Sequence, residues 1–287
     1  MSSPLVDTAW LEANLSDPRL RVLDCSVVMR TEPDGSYSFA GAVEEWQQAH
    51  IPGSVFVDVL GKLAAKKNPL PMTMPATEDF AAVMESFGVG DDTEVVLYDR
   101  SNHAWAARVW WMLRACGFDT AAVLDGGWKK WTAESRPISD ERSAYPRGTL
   151  TPKARPDLLA TKEQVLASIE APGVTVINAL SPEEHRGTAP TRFPRAGRIA
   201  GSTNVYCQSL IDPDTHAYWP APKLRALFEE AGALSGGRAI TYCGAGIAAS
   251  SDALALTLLG LENVAVYDGS LAEWTADPAL PMETGEP

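Results

Sequence analysis

The chain has 287 residues, 45% of them hydrophobic, and a formal charge of −13. That length suits two compact domains, each with its own core, and no apolar run is long enough to cross a bilayer. The acidic balance argues against nucleic acid or an anionic membrane as partner.

The amino terminus, MSSPLVDTAWLEANL, lacks a basic stretch followed by an apolar run, so no secretory signal is expected and the location read from it is cytoplasmic. Taken in chain order, the first half presents Val22-Leu23-Asp24, the turn His50-Ile51-Pro52-Gly53-Ser54 and a helical segment Thr77–Gly88. A β-prone run, Val95–Tyr98, then ends at Asp99; after a polar loop comes the almost wholly apolar helix Ala104–Leu113, and later Leu124-Asp125-Gly126-Gly127. The stretch Arg136–Leu158 carries Pro137, Pro146, Pro152 and Pro156, which favour an extended connector packed along the surface over a helix.

The second half repeats the first. Val176-Ile177-Asn178 matches Val22-Leu23-Asp24, Arg198-Ile199-Ala200-Gly201-Ser202 matches the His50 turn, and Ala221–Gly232 matches Thr77–Gly88. Residues 94–131, EVVLYDRSNHAWAARVWWMLRACGFDTAAVLDGGWKKW, are echoed by 238–274, RAITYCGAGIAASSDALALTLLGLENVAVYDGSLAEW. A repeat of about 130 residues is a duplicated domain rather than a solenoid. Alternating strands and helices imply an α/β fold, two tandem domains of mainly parallel sheet flanked by helices. The expected division is 1–138, a proline-rich linker 139–157, and 158–287. Most tryptophans, Trp110, Trp111, Trp128, Trp131 and Trp274 among them, are expected to serve packing.

The two copies differ at one telling position: Asp99 in the first stands where Cys243 stands in the second. Cys243 follows the strand Ala239–Tyr242 and precedes the apolar helix Ala248–Leu259, with Gly244-Ala245-Gly246 between. Its sulfur therefore belongs beside a helix amino terminus, where unpaired N–H groups and the helix dipole favour a nucleophilic thiolate. Gly244 and Gly246 are expected to adopt backbone conformations closed to other residues. The bland alternative is a cysteine acting as a small buried hydrophobe. The four cysteines, Cys25, Cys116, Cys207 and Cys243, lack CxxC or Cys/His zinc spacing, as expected of a reducing compartment and no metal.

These residues resemble the two-domain rhodanese-type sulfurtransferases, the family of thiosulfate and 3-mercaptopyruvate sulfurtransferases. The resemblance runs from Thr8-Ala9-Trp10-Leu11 to Trp274 and rests on His50-Ile51-Pro52-Gly53, Arg108-Val109-Trp110-Trp111, Leu124-Asp125-Gly126-Gly127, the Cys243 loop and Tyr267-Asp268-Gly269-Ser270. It implies an inactive first domain and a catalytic second one. In such a protein Cys243 takes sulfur from a small-molecule donor as a persulfide and passes it to cyanide, a thiol or a dithiol protein such as a thioredoxin-like reductant. Backbone N–H groups of Gly244, Ala245, Gly246, Ile247, Ala248 and Ala249 form the expected cradle, and no organic cofactor is needed. A monomer is the default, because duplication already supplies a pseudo-symmetric pair.

Cysteine phosphatases of related fold carry an arginine six positions past the nucleophile; here Ala249 stands there, which removes the bidentate partner a phosphoryl group needs. The histidines His50, His103, His185 and His216 have no local signature of a papain-like base. Cys243-Gly244-Ala245-Gly246 is neutral, as in relatives that prefer 3-mercaptopyruvate, and Asp58 matches an aspartate of those enzymes. Ala245 and Ala248 nevertheless replace the usual serine and threonine, and residues 68–75 contain no histidine where those enzymes have one. Donor binding is expected from the segment His185–Arg198, with Arg186 and Arg195 as first choices. Just before it Glu184 occupies a site that is arginine in many relatives, and Asn178 and Leu180 depart from the usual Asp-x-Arg element. Those departures motivate the alternative of a noncatalytic binding or sensing module. Cys207 is either a redox partner of Cys243 or a buried bystander.

Overall fold

The structure, a computed structural model, describes residues 3–32, 37–65, 68–169 and 171–286. The outermost residues of the expected domains, 1–2 and 287, lie outside that set. The chain divides into two units; the first is built chiefly from residues up to Ala154 and the second from Arg155 onward. Two short stretches exchange places: 68–73 groups with the second unit and 213–217 with the first.

The first unit contains strands β1 (Leu5–Val6), β2 (Leu20–Asp24), β3 (Val27–Thr31), β4 (Tyr37–Gly41), β5 (Val55–Phe56), β6 (Glu94–Tyr98) and β7 (Ala121–Leu124). Its helices are α1 (Thr8–Asn14), α2 (Val43–Gln48), α3 (Thr77–Ser86), α4 (Ala104–Ala115) and α5 (Gly127–Ala133). The sheet is five-stranded and parallel, in the order β1-β7-β6-β2-β5, with Val22 of β2 opposite Val96 of β6. The inner strands β6 and β7 carry the apolar runs VVLY and AAVL, all buried, because both faces are covered. A separate antiparallel hairpin, β3–β4, has no counterpart among the described residues of the second unit and leaves Met29 and Phe39 exposed.

The second unit repeats that order with β8 (Leu159–Ala160), β9 (Val174–Asn178), β11 (Thr203–Asn204), β12 (Arg238–Tyr242) and β13 (Val264–Tyr267) arranged β11-β9-β12-β13-β8, all parallel. A small antiparallel pair, β10 (Arg198–Ile199) with β14 (Met282–Glu283), lies apart from it. Its helices are α6 (Lys162–Ser168), α7 (Pro182–Arg186), α8 (Ala221–Glu230), α9 (Ile247–Leu258) and α10 (Ser270–Trp274). The mainly parallel α/β fold expected from the sequence is what both units adopt.

The structure gives physical reasons for the repeated motifs. Each central strand ends in a fully buried tyrosine whose hydroxyl reaches the turn of the Ile-x-Gly-Ser type. Tyr98 Oη meets Ser54 Oγ at 3.1 Å and accepts from Ile51 N at 3.4 Å; Tyr242 Oη meets Ser202 Oγ at 2.8 Å and accepts from Ile199 N at 3.1 Å. Each unit's last tryptophan donates its indole N–H to a proline carbonyl just beyond, Trp131 to Pro137 at 2.7 Å and Trp274 to Pro281 at 3.1 Å. A buried indole is thus paid no desolvation penalty while it fills the core. The proline-rich connector is free of helix from Pro137 to Arg155 and packs on the first unit. Tyr145 donates to Gly53 O at 2.8 Å, Leu150 is buried, and its N–H reaches Glu85 Oε1 at 3.1 Å.

Candidate active site

Cys243 is the first residue past β12, buried to 3% exposure. The chain then turns through Gly244, Ala245 and Gly246 into α9, with Gly246 left-handed at φ 77° as the helix N-cap. The two glycines serve different ends. Gly246 needs its freedom of φ. Gly244 does not have positive φ, contrary to the expectation; what marks it is the close approach of two side chains. A Cβ there would lie 2.9 Å from Phe193 Cζ and 3.2 Å from Arg192 Nη2.

The first two carbonyls of the loop are paired with α10. Cys243 O accepts from Leu271 N at 3.1 Å and Gly244 O from Ala272 N at 3.0 Å, the second partner lying in the first turn of α10. The N–H groups at the start of α9 have no intrahelical acceptor.

The first unit shows what such a loop holds. Asp99, 2% exposed, occupies the strand end, and its carboxylate gathers four backbone N–H groups. Oδ1 accepts from Ser101 N (2.8 Å) and His103 N (3.1 Å), and Oδ2 from Trp105 N and Ala106 N (both 3.1 Å). Loop one runs from Asp99 to His103 before α4 begins at Ala104; loop two runs from Cys243 to Gly246 before α9 begins at Ile247. Aligned on their helices, Trp105 and Ala106 correspond to Ala248 and Ala249. In the first unit this nest of N–H groups binds a built-in carboxylate.

The expected donor arginines are placed elsewhere. Arg195 is committed to backbone: its guanidinium donates to the carbonyls of Trp274 (2.9 Å), Thr275 (3.3 Å), Asp277 (2.6 Å) and Leu280 (2.8 Å). This corrects its reading as a substrate ligand, since a fork already spent on four carbonyls clamps the turn after α10. Arg186 ends α7 and pairs with Glu183 at 3.2 Å and Glu286 at 3.7 Å. The arginine brought to the cysteine loop is Arg192, stacked 5.2 Å from the Phe193 ring centroid. No spacing rule marks Arg192 within the arginine-rich segment; the close approach to Gly244 is the only signal, and it appears in the fold alone.

Asp58 belongs to the first unit, where its Oδ1 accepts from Gly61 N at 2.9 Å and closes a tight turn. The histidines have structural partners. His50 lies between Trp46 O (2.6 Å) and Glu141 O (3.0 Å), and His103 Nε2 meets His216 O at 2.6 Å. His185 is buried with Nδ1 3.1 Å from Asn178 Nδ2. Burial, with Arg198 and Arg186 adding to it, lowers its pKa to about 4, so it is neutral at physiological pH.

Three thiols are held protonated by burial: Cys25 and Cys207 well above the ordinary thiol range, Cys116 at about 11. Cys207 N donates to Ala179 O, and Ala179 N to Tyr242 O, so β9's end lies between Cys207 and the Cys243 strand. Cys207 is buried, as the bystander reading expects, and Asp252 and Cys243 add to the effect of burial on its thiol.

Asp252 is the outlier of α9: fully buried, with neither carboxylate oxygen hydrogen-bonded. Desolvation pushes its pKa well above the carboxylate range. In the unfolded chain the group ionises near pH 4, so above that the native state holds more protons than the unfolded one. Stability must then fall as pH rises, by up to about 1.4 kcal/mol per unit, until the folded pKa is passed. Asp252→Asn is expected to remove this slope. Chemical denaturation from pH 5 to 8 should show the wild type losing stability relative to the variant, and parallel curves would contradict it.

With this geometry in hand, comparison places the chain. The Rhodanese-like domain model matches residues 7–134 and 161–277, and the protein belongs to that family as a tandem pair. It is 33% identical over 308 aligned positions to thiosulfate/3-mercaptopyruvate sulfurtransferase 1, mitochondrial, of Arabidopsis thaliana, covering 99% of this chain and 79% of that one. It is 30% identical to the 3-mercaptopyruvate sulfurtransferase of Escherichia coli K12, with 97% of both chains covered. Among solved structures, SseA of Escherichia coli, described for the fold and catalytic mechanism of 3-mercaptopyruvate sulfotransferases, superposes with a TM-score of 0.82 at 28% identity, over 94% of this chain and 99% of that one. No helix among the described residues is long and apolar enough to cross a membrane.

Proposed function

We propose that this protein is a sulfurtransferase that carries sulfane sulfur on Cys243, with 3-mercaptopyruvate favoured over thiosulfate as donor. The observation that carries the reading is the pair Asp99 and Cys243: one loop design, filled by a fixed anion in one copy and by a nucleophilic sulfur in the other. Residues 158–287 are the catalytic domain and 1–138 the inactive copy, joined by 139–157.

In the first half-reaction the Cys243 thiolate attacks the donor's outer sulfur. With 3-mercaptopyruvate the C–S bond breaks, its electron pair goes to the methylene carbon, and the thiol proton ends there, giving pyruvate and Cys–S–S⁻. With thiosulfate the S–S bond breaks and sulfite leaves. In the second half-reaction cyanide or a thiolate attacks the terminal sulfur and restores the Cys243 thiolate. The N–H groups of Ala245, Ala248 and Ala249 stabilise the terminal sulfur anion as an oxyanion hole does. Arg192, beside Gly244, supplies the planar fork for the donor's carboxylate or sulfonate, and the Phe193 ring walls the same side. The neutral side chains of the loop, Gly244 and Ala245, support the lean to the monoanionic keto acid. A cytoplasmic monomer serving a small thiol or dithiol protein completes the reading.

Cyanide-dependent thiocyanate formation, run in parallel with the two donors, tests it. The expected result is turnover with both and a higher kcat/KM with 3-mercaptopyruvate. A clear preference for thiosulfate would reverse the donor assignment, and turnover with neither would favour the noncatalytic module.

A further inference from the structure

Ser270 is one of the few non-glycine residues with left-handed backbone, at φ 48°, and it is fully buried. Its counterpart in the first unit, in the repeated Asp-Gly step before the last tryptophan, is Gly127, also left-handed at φ 52°. A glycine adopts that conformation freely, whereas a serine adopts it at a cost. The second unit therefore retains a strained side chain where its twin dispenses with one.

What the side chain does there is visible. Ser270 Oγ accepts from Cys243 N and from Gly246 N, each at 3.1 Å, and donates its own proton to Tyr267 O at 2.8 Å. Its hydroxyl proton is thus directed at the backbone of β13's last residue. In the first unit the N–H equivalent to Gly246 N is His103 N, and it is taken by Asp99 Oδ1. The two copies solve one problem in two ways. Where the strand-end residue is an aspartate, its carboxylate pairs the inner N–H of the loop and a glycine suffices at 127. Where it is a cysteine, the pairing passes to a serine.

We infer that Ser270 is a positioning residue for sulfur transfer: its strained hydroxyl ties Cys243 and Gly246 together from beneath, holding the loop so that the remaining N–H groups face the sulfur. The inference rests on Cys243 as the sulfur carrier. One N–H of the expected cradle, that of Gly246, is withdrawn and the others are aimed, which is how preorganised donors act without touching the reacting atoms.

Ser270→Gly is the informative variant, because it relieves the strained φ while removing the hydroxyl. Ser270→Ala removes the hydroxyl and keeps the Cβ. In a quenched single-turnover experiment with the donor that wild type uses best, the mass of one sulfur added at Cys243 is followed in time. Both variants are expected to load sulfur roughly 10–100-fold more slowly than wild type, with the donor concentration for half-maximal rate nearly unchanged. Thermal melting of Ser270→Gly should lie close to wild type, and its Gly246 amide should lose hydrogen-exchange protection. A purely structural serine would leave the loading rate of the glycine variant unchanged. Loading at the wild-type rate in either variant would overturn the role of Ser270 alone. Absence of loading in wild type itself would overturn the reading of Cys243 and this inference with it.

Discussion

Cys243→Ser is expected to cut sulfur transfer by at least about a thousandfold with either donor while leaving the fold intact. Serine matches cysteine closely in shape, and Cys243 contributes little to the core beyond its own small volume. The bonds that hold its loop run through backbone: Cys243 O to Leu271 N, Cys243 N to Ser270 Oγ, and Gly244 O to Ala272 N. None needs the sulfur. The chemistry does, because a serine hydroxyl is neither ionised nor able to expand into a stable chalcogen–chalcogen anion under these conditions. Steady-state thiocyanate formation together with the thermal melt checks both halves of the expectation. Residual turnover above a few percent would mean that another residue carries the sulfur.

The second large effect separates two neighbouring arginines. Arg195→Met is expected to destabilise the second unit by about 3 kcal/mol, because four backbone carbonyls lose a charged donor and at least some stay out of reach of water. For a domain of this size that corresponds to a fall in Tm of roughly 10 °C. Donor affinity in the folded fraction should be little changed, since the guanidinium faces Trp274, Asp277 and Leu280. Arg192→Met should behave in the opposite way. Its Tm should stay within about 2 °C of wild type, while the KM for an anionic donor rises roughly 10–100-fold through loss of a charge-assisted pair. Melting curves and donor titrations of the two variants, compared side by side, decide the matter; a raised KM in the Arg195 variant alone would return the donor site to the residue first expected.

That exchange of roles marks the border of what the sequence makes legible. Duplication, the alternation of strands and helices and the position of Cys243 follow from pattern, because parallel strands, strand-end residues and helix starts leave periodic and local signatures. The clamps Tyr98 to Ser54 and Tyr242 to Ser202 even explain why the matching motifs recur so far apart. Arg192 and Arg195 lie three positions apart in a segment without long regular structure, and nothing local states which one turns inward. Gly244 looks like a residue chosen for φ, yet its φ is not positive and the Phe193 ring lies close against it. Ser270 reads as one letter of a repeated Asp-Gly step; only its bonds to Cys243 and Gly246 reveal a task. The β3–β4 hairpin escapes the repeat comparison because the described residues of the second copy hold no equivalent.

The central claim is that Cys243 becomes a persulfide, and one measurement addresses it directly. The wild-type protein, reduced and freed of thiols, is exposed to 3-mercaptopyruvate or thiosulfate without an acceptor and examined by intact-mass and peptide mass spectrometry. The account predicts a gain of about 32 Da, one sulfur atom, confined to the peptide bearing Cys243 and reversed by cyanide. No gain, or a gain carried by Cys25, Cys116 or Cys207 instead, would contradict it.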